Sequence, residues 1–227
     1  MVRKITKKDI EKPDSFQAAV NRISTYISEN KKRLYIISGV VTSIIVIAIG
    51  WYLYKMNYES NAQKLYTMAH LAAMKNSMQG INPDQNILKL YQDVVTQYPG
   101  SKAAMMSQYQ MGSVYYDIGN IDAAVKAYTD FIKEAPGGSD LQAMGYNGLG
   151  YCYESKKDWK NALESFEKAS ASKTGGSFVS ITYRNIARIY EEMNNKEKAF
   201  EYYQKALSKT TDPGMELFLK RKISTTS

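Results

Sequence analysis

The longest block of apolar positions runs without a charge from Leu34 to Tyr54, and its length decides what it means. At about 1.5 Å per residue the run makes a helix of roughly 31 Å, which matches a hydrocarbon core of about 30 Å. Six Ile, three Val and two Leu favour insertion by roughly 3–7 kcal/mol before Ser38, Thr42 and Ser43 subtract part of it. Tyr35 at one end and Trp51, Tyr52 and Tyr54 at the other put amphipathic rings at headgroup level, and Lys31, Lys32, Arg33 and Lys55 close the span. A secretory signal would have a shorter apolar region, a short basic start and small residues at its cleavage point. The pattern predicts an uncleaved transmembrane helix over 34–54, with Gly39 and Ser43 facing lipid.

Before the span, Phe16, Val20, Ile23 and Ile27 recur at steps of four, three and four, which places them on one helix face. Asp14 or Ser15 after Pro13 can cap that helix, with Gln17 completing a capping box rooted at Asp14. The expected role of this amphipathic arm, residues 1–33, is to lie on the inner leaflet with Arg22 and the Lys31 cluster at the headgroups. Docking to a partner is the alternative.

Beyond the span the pattern becomes periodic over a longer distance. Gly112-Ser-Val-Tyr115 is followed by Ala124, Tyr128 and Phe131; Gly150-Tyr-Cys-Tyr153 by Ala162, Phe166 and Ala169; and Ala187-Arg-Ile-Tyr190 by Ala199, Tyr203 and Ala206. The offsets are the same in each copy and the copies lie 38 and 37 residues apart, which defines a repeat. Each copy reads as a helical hairpin in which a small residue lets two helices approach closely, the Tyr three positions on fills the gap, and the Ala-x3-aromatic step belongs to the partner helix. Turns fall at Gly119-Asn120, Ser155-Lys156-Lys157-Asp158 and Asn194-Asn195, while Pro136-Gly-Gly, Gly175-Gly176 and Asp212-Pro-Gly214 close the units. Leu71, Met74, Met78, Ile87, Tyr91 and Val94 suggest a degenerate unit before these, with Lys75 at the small-residue position and Pro99-Gly100 at its end. The expected units are 68–100, 105–138, 143–175 and 180–213 within a domain 55–223. Leu217, Phe218 and Leu219, in the stretch Met215 to Ile223, are expected to cap the stack ahead of a tail 224–227.

Charge then fixes the topology. The chain is formally +8, but nine basic residues stand against four acidic ones in the arm, and twenty-one against eighteen after the span. Only Lys55 and Lys64 fall in the first twenty residues beyond it. By the bias of Lys and Arg the arm is cytoplasmic and the repeats lie across the membrane, in the periplasm of a Gram-negative bacterium. The near-neutral repeats carry no long basic stripe of the kind that neutralises phosphates, so nucleic acid is not an expected partner.

The repeat offsets resemble the tetratricopeptide repeat, although the usual period is nearer 34. The expected fold is therefore all-α: one N-terminal transmembrane helix, then a tetratricopeptide-repeat solenoid of about four hairpins with a C-terminal capping helix. An amphipathic arm, one span and about four repeats is similar to the YfgM-like family, the ancillary subunit of the SecYEG translocon. That resemblance implies a periplasmic repeat domain beside the translocon, with secretory chains, translocon subunits or a membrane-anchored chaperone as partners. Residues 82–104 also resemble linkers in outer-membrane assembly and division-coordinating repeat proteins, which implies an envelope scaffold instead. A cytosol-facing import receptor, with reversed topology, is the third reading.

Carried over residue by residue, the repeat pattern puts Met106, Tyr109, Ser113, Tyr116 and Asp117, then Met144, Asn147, Tyr151 and Glu154, then Ile181, Arg184, Arg188 and Glu191 along a groove. Met and Tyr suit recognition of apolar segments because they offer large contact area with few or pliable rotamers. Packing against the neighbouring hairpin is an equal alternative for several of them. The Lys and Asn combination of carboxylate-clamping repeats is missing. Arg184 and Arg188 can meet an acidic segment or pair with Glu191 and Glu192 on their own helix, and the pairing is the simpler expectation.

Little else carries chemistry. His70 is the sole histidine, which leaves no His-based metal cluster or Ser-His triad, and it reads as a half-buried or surface helix residue. Cys152 is the sole cysteine and reads as a small core residue. Gly145, Gly148 and Gly150 follow no strand and precede no Gly-Lys-Ser, so helix packing explains them better than phosphate binding. The expectation is a binding protein, with no enzyme activity, cofactor, metal or small-molecule substrate.

Overall fold

The computed structural model describes residues 15–81, 85–171 and 178–226, and every regular element among them is a helix. The chain divides into two compact units, Met1–Met56 and Asn57–Ser227. Asp14 with its capping role, the basic residues Arg3 to Lys12, and Gly175-Gly176 lie outside the described residues.

In the first unit, α1 (Ser15–Glu29) forms over the predicted amphipathic stretch, and Phe16, Val20, Ile23 and Ile27 are all exposed. Helix α2 (Lys31–Met78) then contains the apolar run. It is the one helix among the described residues long and apolar enough to cross a membrane, and no part of its most apolar stretch is buried within the protein. The two serines of the apolar run are satisfied inside the helix: Ser38 Oγ donates to Tyr35 O at 3.1 Å and Ser43 Oγ to Gly39 O at 2.9 Å.

In the second unit the rest of α2 is followed by α3 (Gln85–Gln97), α4 (Lys102–Asp117), α5 (Ile121–Glu134), α6 (Asp140–Ser155), α7 (Trp159–Ser170), α8 (Val179–Glu192), α9 (Lys196–Leu207) and α10 (Pro213–Thr226). Each helix from α3 onward packs on the next, and α4 also meets α6, so the first helices of successive hairpins share one layer. This is an α-solenoid.

The three inner turns are built alike. After α4, α6 and α8 the chain enters the left-handed region at Gly119 (φ 79°), Lys157 (φ 57°) and Asn194 (φ 57°). The next residue donates its N–H back to a carbonyl five positions earlier: Asn120 to Tyr115, Asp158 to Tyr153 and Asn195 to Tyr190, at 2.8–2.9 Å. That is the Schellman closure of a helix. The same Asn or Asp then caps the following helix, its side chain accepting from the N–H of Ala123, Asn161 or Lys198. One residue ends a helix and starts another. Lys157 fits least well, because a left-handed residue with a Cβ costs about 1–2 kcal/mol and Lys lacks the short polar side chain that helps Asn194. Lys157→Gly is therefore expected to stabilise the chain by about 1 kcal/mol, read as a higher denaturation midpoint at unchanged slope.

Small residues hold each hairpin closed, but the ring over them comes from the second helix and not from the Tyr three positions on, because the second helix crosses at the small residue itself. A Cβ on Gly112 would lie 2.7 Å from Tyr128 Cε1, one on Gly148 2.6 Å from the same atom, and one on Gly145 2.8 Å from Phe131 Cδ1. Gly150 lies equally close beneath the Phe166 ring. The three glycines of α6 are thus packing positions, and Cys152 is fully buried beside Tyr128 and Phe131. Burial pushes its thiol up to about 11, well away from thiolate reactivity.

Two further sequence expectations need correction. Ile87, Tyr91 and Val94 are buried, but Leu71, Met74 and Met78 are exposed, and so is Lys75. The buried stripe of α2 uses Ala62 and Ala69, with Leu65, Tyr66 and Ala73 partly covered, because a close helix approach needs small side chains where Leu and Met would not fit. In the capping helix Leu219 is fully buried, whereas Leu217 and Phe218 are exposed. At 100° per residue those two cannot share its face, and Met215 and Ile223, one turn to either side, complete the contact. Asp212 caps α10 by accepting from Met215 N at 2.6 Å, so the Asp-Pro-Gly segment starts this helix as well as ending the preceding unit.

Candidate partner-binding face

The layer of first helices carries a cavity of about 330 Å³ lined by Tyr109, Ser113, Tyr116, Met144, Asn147, Tyr151 and Ile181, together with Tyr128, Gly148 and Phe178. Seven positions carried over from the repeat pattern therefore converge. The first seven residues named are all half-buried, which leaves them packed from behind and open in front. The ring backing is specific: Tyr109 lies against Phe131 at 5.2 Å and Tyr128 at 5.6 Å, and Tyr151 stands edge-on to Phe166 at 5.4 Å.

Other predicted positions do not join it. Met106 faces a separate apolar hollow of about 850 Å³ with Met105, Pro136 and Leu141. Asp117 belongs to a neighbouring cavity of about 410 Å³ with His70, Tyr91 and Gln110, which meets the first at Ser113. His70 is half-buried, stacked on Tyr66 at 5.7 Å, with Nδ1 3.4 Å from Tyr91 Oη. Asn147 lines the cavity, but its amide is engaged internally, donating to Ala143 O at 3.1 Å and Thr182 Oγ1 at 3.0 Å.

The arginines differ from expectation. Arg188 does not pair along its own helix; its Nε and Nη2 donate to the two carboxylate oxygens of Glu154 at 2.8 and 2.6 Å, 34 residues earlier. Burial opposes the Arg188 charge, but the paired hydrogen bonds of Glu154 outweigh it and hold the guanidinium above its ordinary value. Glu191 looks forward in the same way, accepting from Lys222 Nζ at 2.8 Å and Tyr203 Oη at 2.7 Å. Repeat arithmetic explains the first pair, whereas Lys222 lies in the capping helix and holds no repeat position. Glu154 and Glu191 occupy the fourth position after the small residue, and Arg188 the first, so adjacent units bring acid and base together. In the preceding interface the same positions are Tyr116 and Tyr151. The face is thus aromatic and open at one interface, ionic and self-paired at the next.

Glu191 carries a pH signature. Burial raises its carboxyl, but the bonds from Lys222 and Tyr203 overcome this and leave it below the usual glutamate range. A depressed folded value stabilises above the unfolded value of about 4.3 and loses that contribution as pH falls through the folded value. Lys222 is 36% exposed, so screening limits the effect to about 1 kcal/mol. Amides of α10 are expected to lose protection ahead of those of α4 and α5 as the pH falls below 4, in hydrogen exchange corrected for intrinsic rate, and Glu191→Gln should remove that difference.

Sequence reasoning missed Asn185, which is fully buried and donates from Nδ2 to Tyr151 Oη at 2.8 Å, fixing the hydroxyl of a cavity residue. An Asn inside an apolar helical stripe was the available signal. Phe178 carried none, since it precedes α8 and belongs to no repeat position.

Tetratricopeptide-repeat family models match residues 106–138 and 141–210. No curated protein matches the sequence. Solved structures with similar folds include MamA (22% identity, 67% of this chain and 80% of that one, TM-score 0.53) and BtubC from P. vanneervenii (18%, 65% and 62%, 0.58). TPR-like repeats from Podosopora anserina superpose with a TM-score of 0.59 at 16% identity, over 74% of this chain and 86% of that one. At these identities the likeness is one of fold. Residues 106–138 and 141–210 thus carry tetratricopeptide repeats within an all-helical solenoid, and such repeats indicate a protein–protein interaction module.

Proposed function

We propose that the chain is a membrane-anchored interaction module of a bacterial inner membrane. Helix 34–54 crosses the bilayer, the arm 1–33 stays in the cytoplasm, and the domain 55–223, followed by the tail 224–227, stands in the periplasm. There it acts as an accessory of the Sec translocon, holding a secretory chain or a membrane-anchored chaperone against the layer of first helices. The observation that carries this reading is the pairing of an apolar helix exposed from Tyr35 to Tyr54 with a half-open aromatic cavity in the repeats. Basic residues before the span favour the orientation, and the YfgM-like resemblance favours the translocon.

A photo-crosslinking residue placed at Tyr109, Tyr116 or Tyr151 in cells tests it, with captured proteins identified by mass spectrometry. Secretory chains, translocon subunits or a periplasmic chaperone are the expected catch. Division or outer-membrane assembly proteins would move the function to an envelope scaffold. Orientation is checked separately with a cysteine near Gly100 in a chain whose Cys152 is replaced: a membrane-impermeant thiol reagent should label it without rupture of the inner membrane.

A further inference from the structure

We propose that Arg184 reads an acidic side chain in the bound partner segment, next to the apolar residue that the aromatic cavity accepts. This rests on the binding face of the preceding subsection and names the chemistry it selects.

The argument starts from an unmatched charge. Around the end of the face formed by α8 and α10 stand three cations, Arg184, Arg188 and Lys222, and two carboxylates, Glu154 and Glu191. Both carboxylates are taken, Glu154 by Arg188 and Glu191 by Lys222. Arg184 has no ion pair among the described residues. Its Nη2 donates to Asn185 Oδ1 at 3.2 Å and its Nη1 reaches only the thioether of Met215, at 4.0 Å. Its Nε is shut off from solvent and has no acceptor. A guanidinium carries five N–H donors and no acceptor, so a half-buried one without a carboxylate is under-satisfied.

Its position gives that deficit a use. Ile181, one turn earlier on α8, lines the cavity, and Asn185, which holds Arg184 Nη2, also holds the Tyr151 hydroxyl. The cation therefore stands beside the cavity, joined to its wall by one buried amide. A partner carboxylate arriving there meets a fork of donors already partly desolvated and gains the charge-assisted bonds the chain itself does not supply. At the far side, beyond Ser113, the exposed Asp117 makes no ion pair among the described residues and repels an acid. The polarity fixes a direction: the acidic residue of the segment lies toward α8 and α10, its apolar residue between Tyr116 and Met144.

The test is selection of a random 12-residue phage-displayed peptide library on the full chain in nanodiscs, at about 0.15 M salt, in parallel with Arg184→Gln, Arg184→Lys and Met144→Lys. The native chain is expected to enrich peptides with Asp or Glu beside an aromatic or large aliphatic residue. Arg184→Gln should remove the acidic enrichment and weaken binding of the selected peptides roughly tenfold, while Arg184→Lys keeps most of it. Equal acidic content in the native and Arg184→Gln selections overturns the inference and leaves the binding face standing. Apolar enrichment that survives Met144→Lys overturns the binding face, and this inference with it. The melting temperature of Arg184→Gln is expected to stay level or rise, because the change removes a half-buried charge without a counter-ion. A fall of several degrees with unaltered peptide preference assigns Arg184 to packing instead.

Discussion

Phe166→Ala is expected to cost about 3–5 kcal/mol, the range for removing a buried aromatic whose site cannot collapse. Phe166 is fully buried, and its neighbours come from two units: Ala162 in its own helix, then Ile186, Ala187, Ala199 and Tyr203 from the next hairpin. Helices α6 and α7 are joined by a short turn and carry their own caps at Ser139 and Asp158, so they cannot close over the void without breaking other contacts. The loss also reaches the binding face. Phe166 stands edge-on behind Tyr151 at 5.4 Å and 79°, and without it the Tyr151 ring loses its aromatic backing. Chemical denaturation of the full chain in detergent, followed by helical signal, measures the cost. Crosslinking from position 109 in the same variant should fall as well. Phe166→Leu, which keeps most of the volume, is expected to cost less than half as much. A loss below about 1 kcal/mol for the alanine variant would mean that adjacent units fold without leaning on this ring.

Gly148→Val is expected to destabilise by about 2–3 kcal/mol although Gly is among the poorest helix formers. The physical reason is a ring held between two backbones. A Cβ at 148 would sit 2.6 Å from Tyr128 Cε1, and Tyr128 cannot retreat because Gly112 lies on it as well, where a Cβ would be 2.7 Å away. Overpacking here must separate α4, α5 and α6 together. The diagnostic is a double variant: adding Tyr128→Leu, itself destabilising, should recover part of the Gly148→Val loss, giving a coupling of at least about 1 kcal/mol. Strictly additive losses would contradict the interlock. The cavity should also narrow, since Tyr128 and Gly148 both line it, and that makes Gly148→Val a test of fold and binding face together.

Much of this architecture was legible because it is local. Apolar spacing announced α1 and the apolar run of α2; Gly119, Asn194 and the Asn or Asp after each left-handed residue announced the turns; and recurrence of Gly or Ala with Tyr, Ala and an aromatic announced the hairpins. The aromatic cavity was legible in part for the same reason. Once the repeat register was set, Tyr109, Tyr116, Met144, Tyr151 and Ile181 had to point one way, because residues three and four apart share a helix face. The degenerate first unit was misread at Leu71, Met74 and Lys75, since a helix that serves two settings in succession carries no single apolar stripe: its first part is exposed and only Ala62, Ala69 and their neighbours are covered.

Sequence by itself thus determined that the chain is helical, where most of its helices turn, which small residues mark the close approaches, and that one helix is long and apolar enough for a bilayer. Only the tertiary structure decided how the charges are spent. Arg188 had Glu191 and Glu192 within reach on its own helix, yet it takes Glu154 from the preceding unit, and Glu191 takes Lys222 from the following helix. Repeat spacing brings Glu154 and Arg188 to adjacent units, but which carboxylate each cation takes depends on how one hairpin is set against the next, a property of summed packing. The same setting buried Leu219 and left Leu217 and Phe218 in the open, and it left Arg184 as a half-buried cation without a carboxylate, because the acids near it were already held by their neighbours.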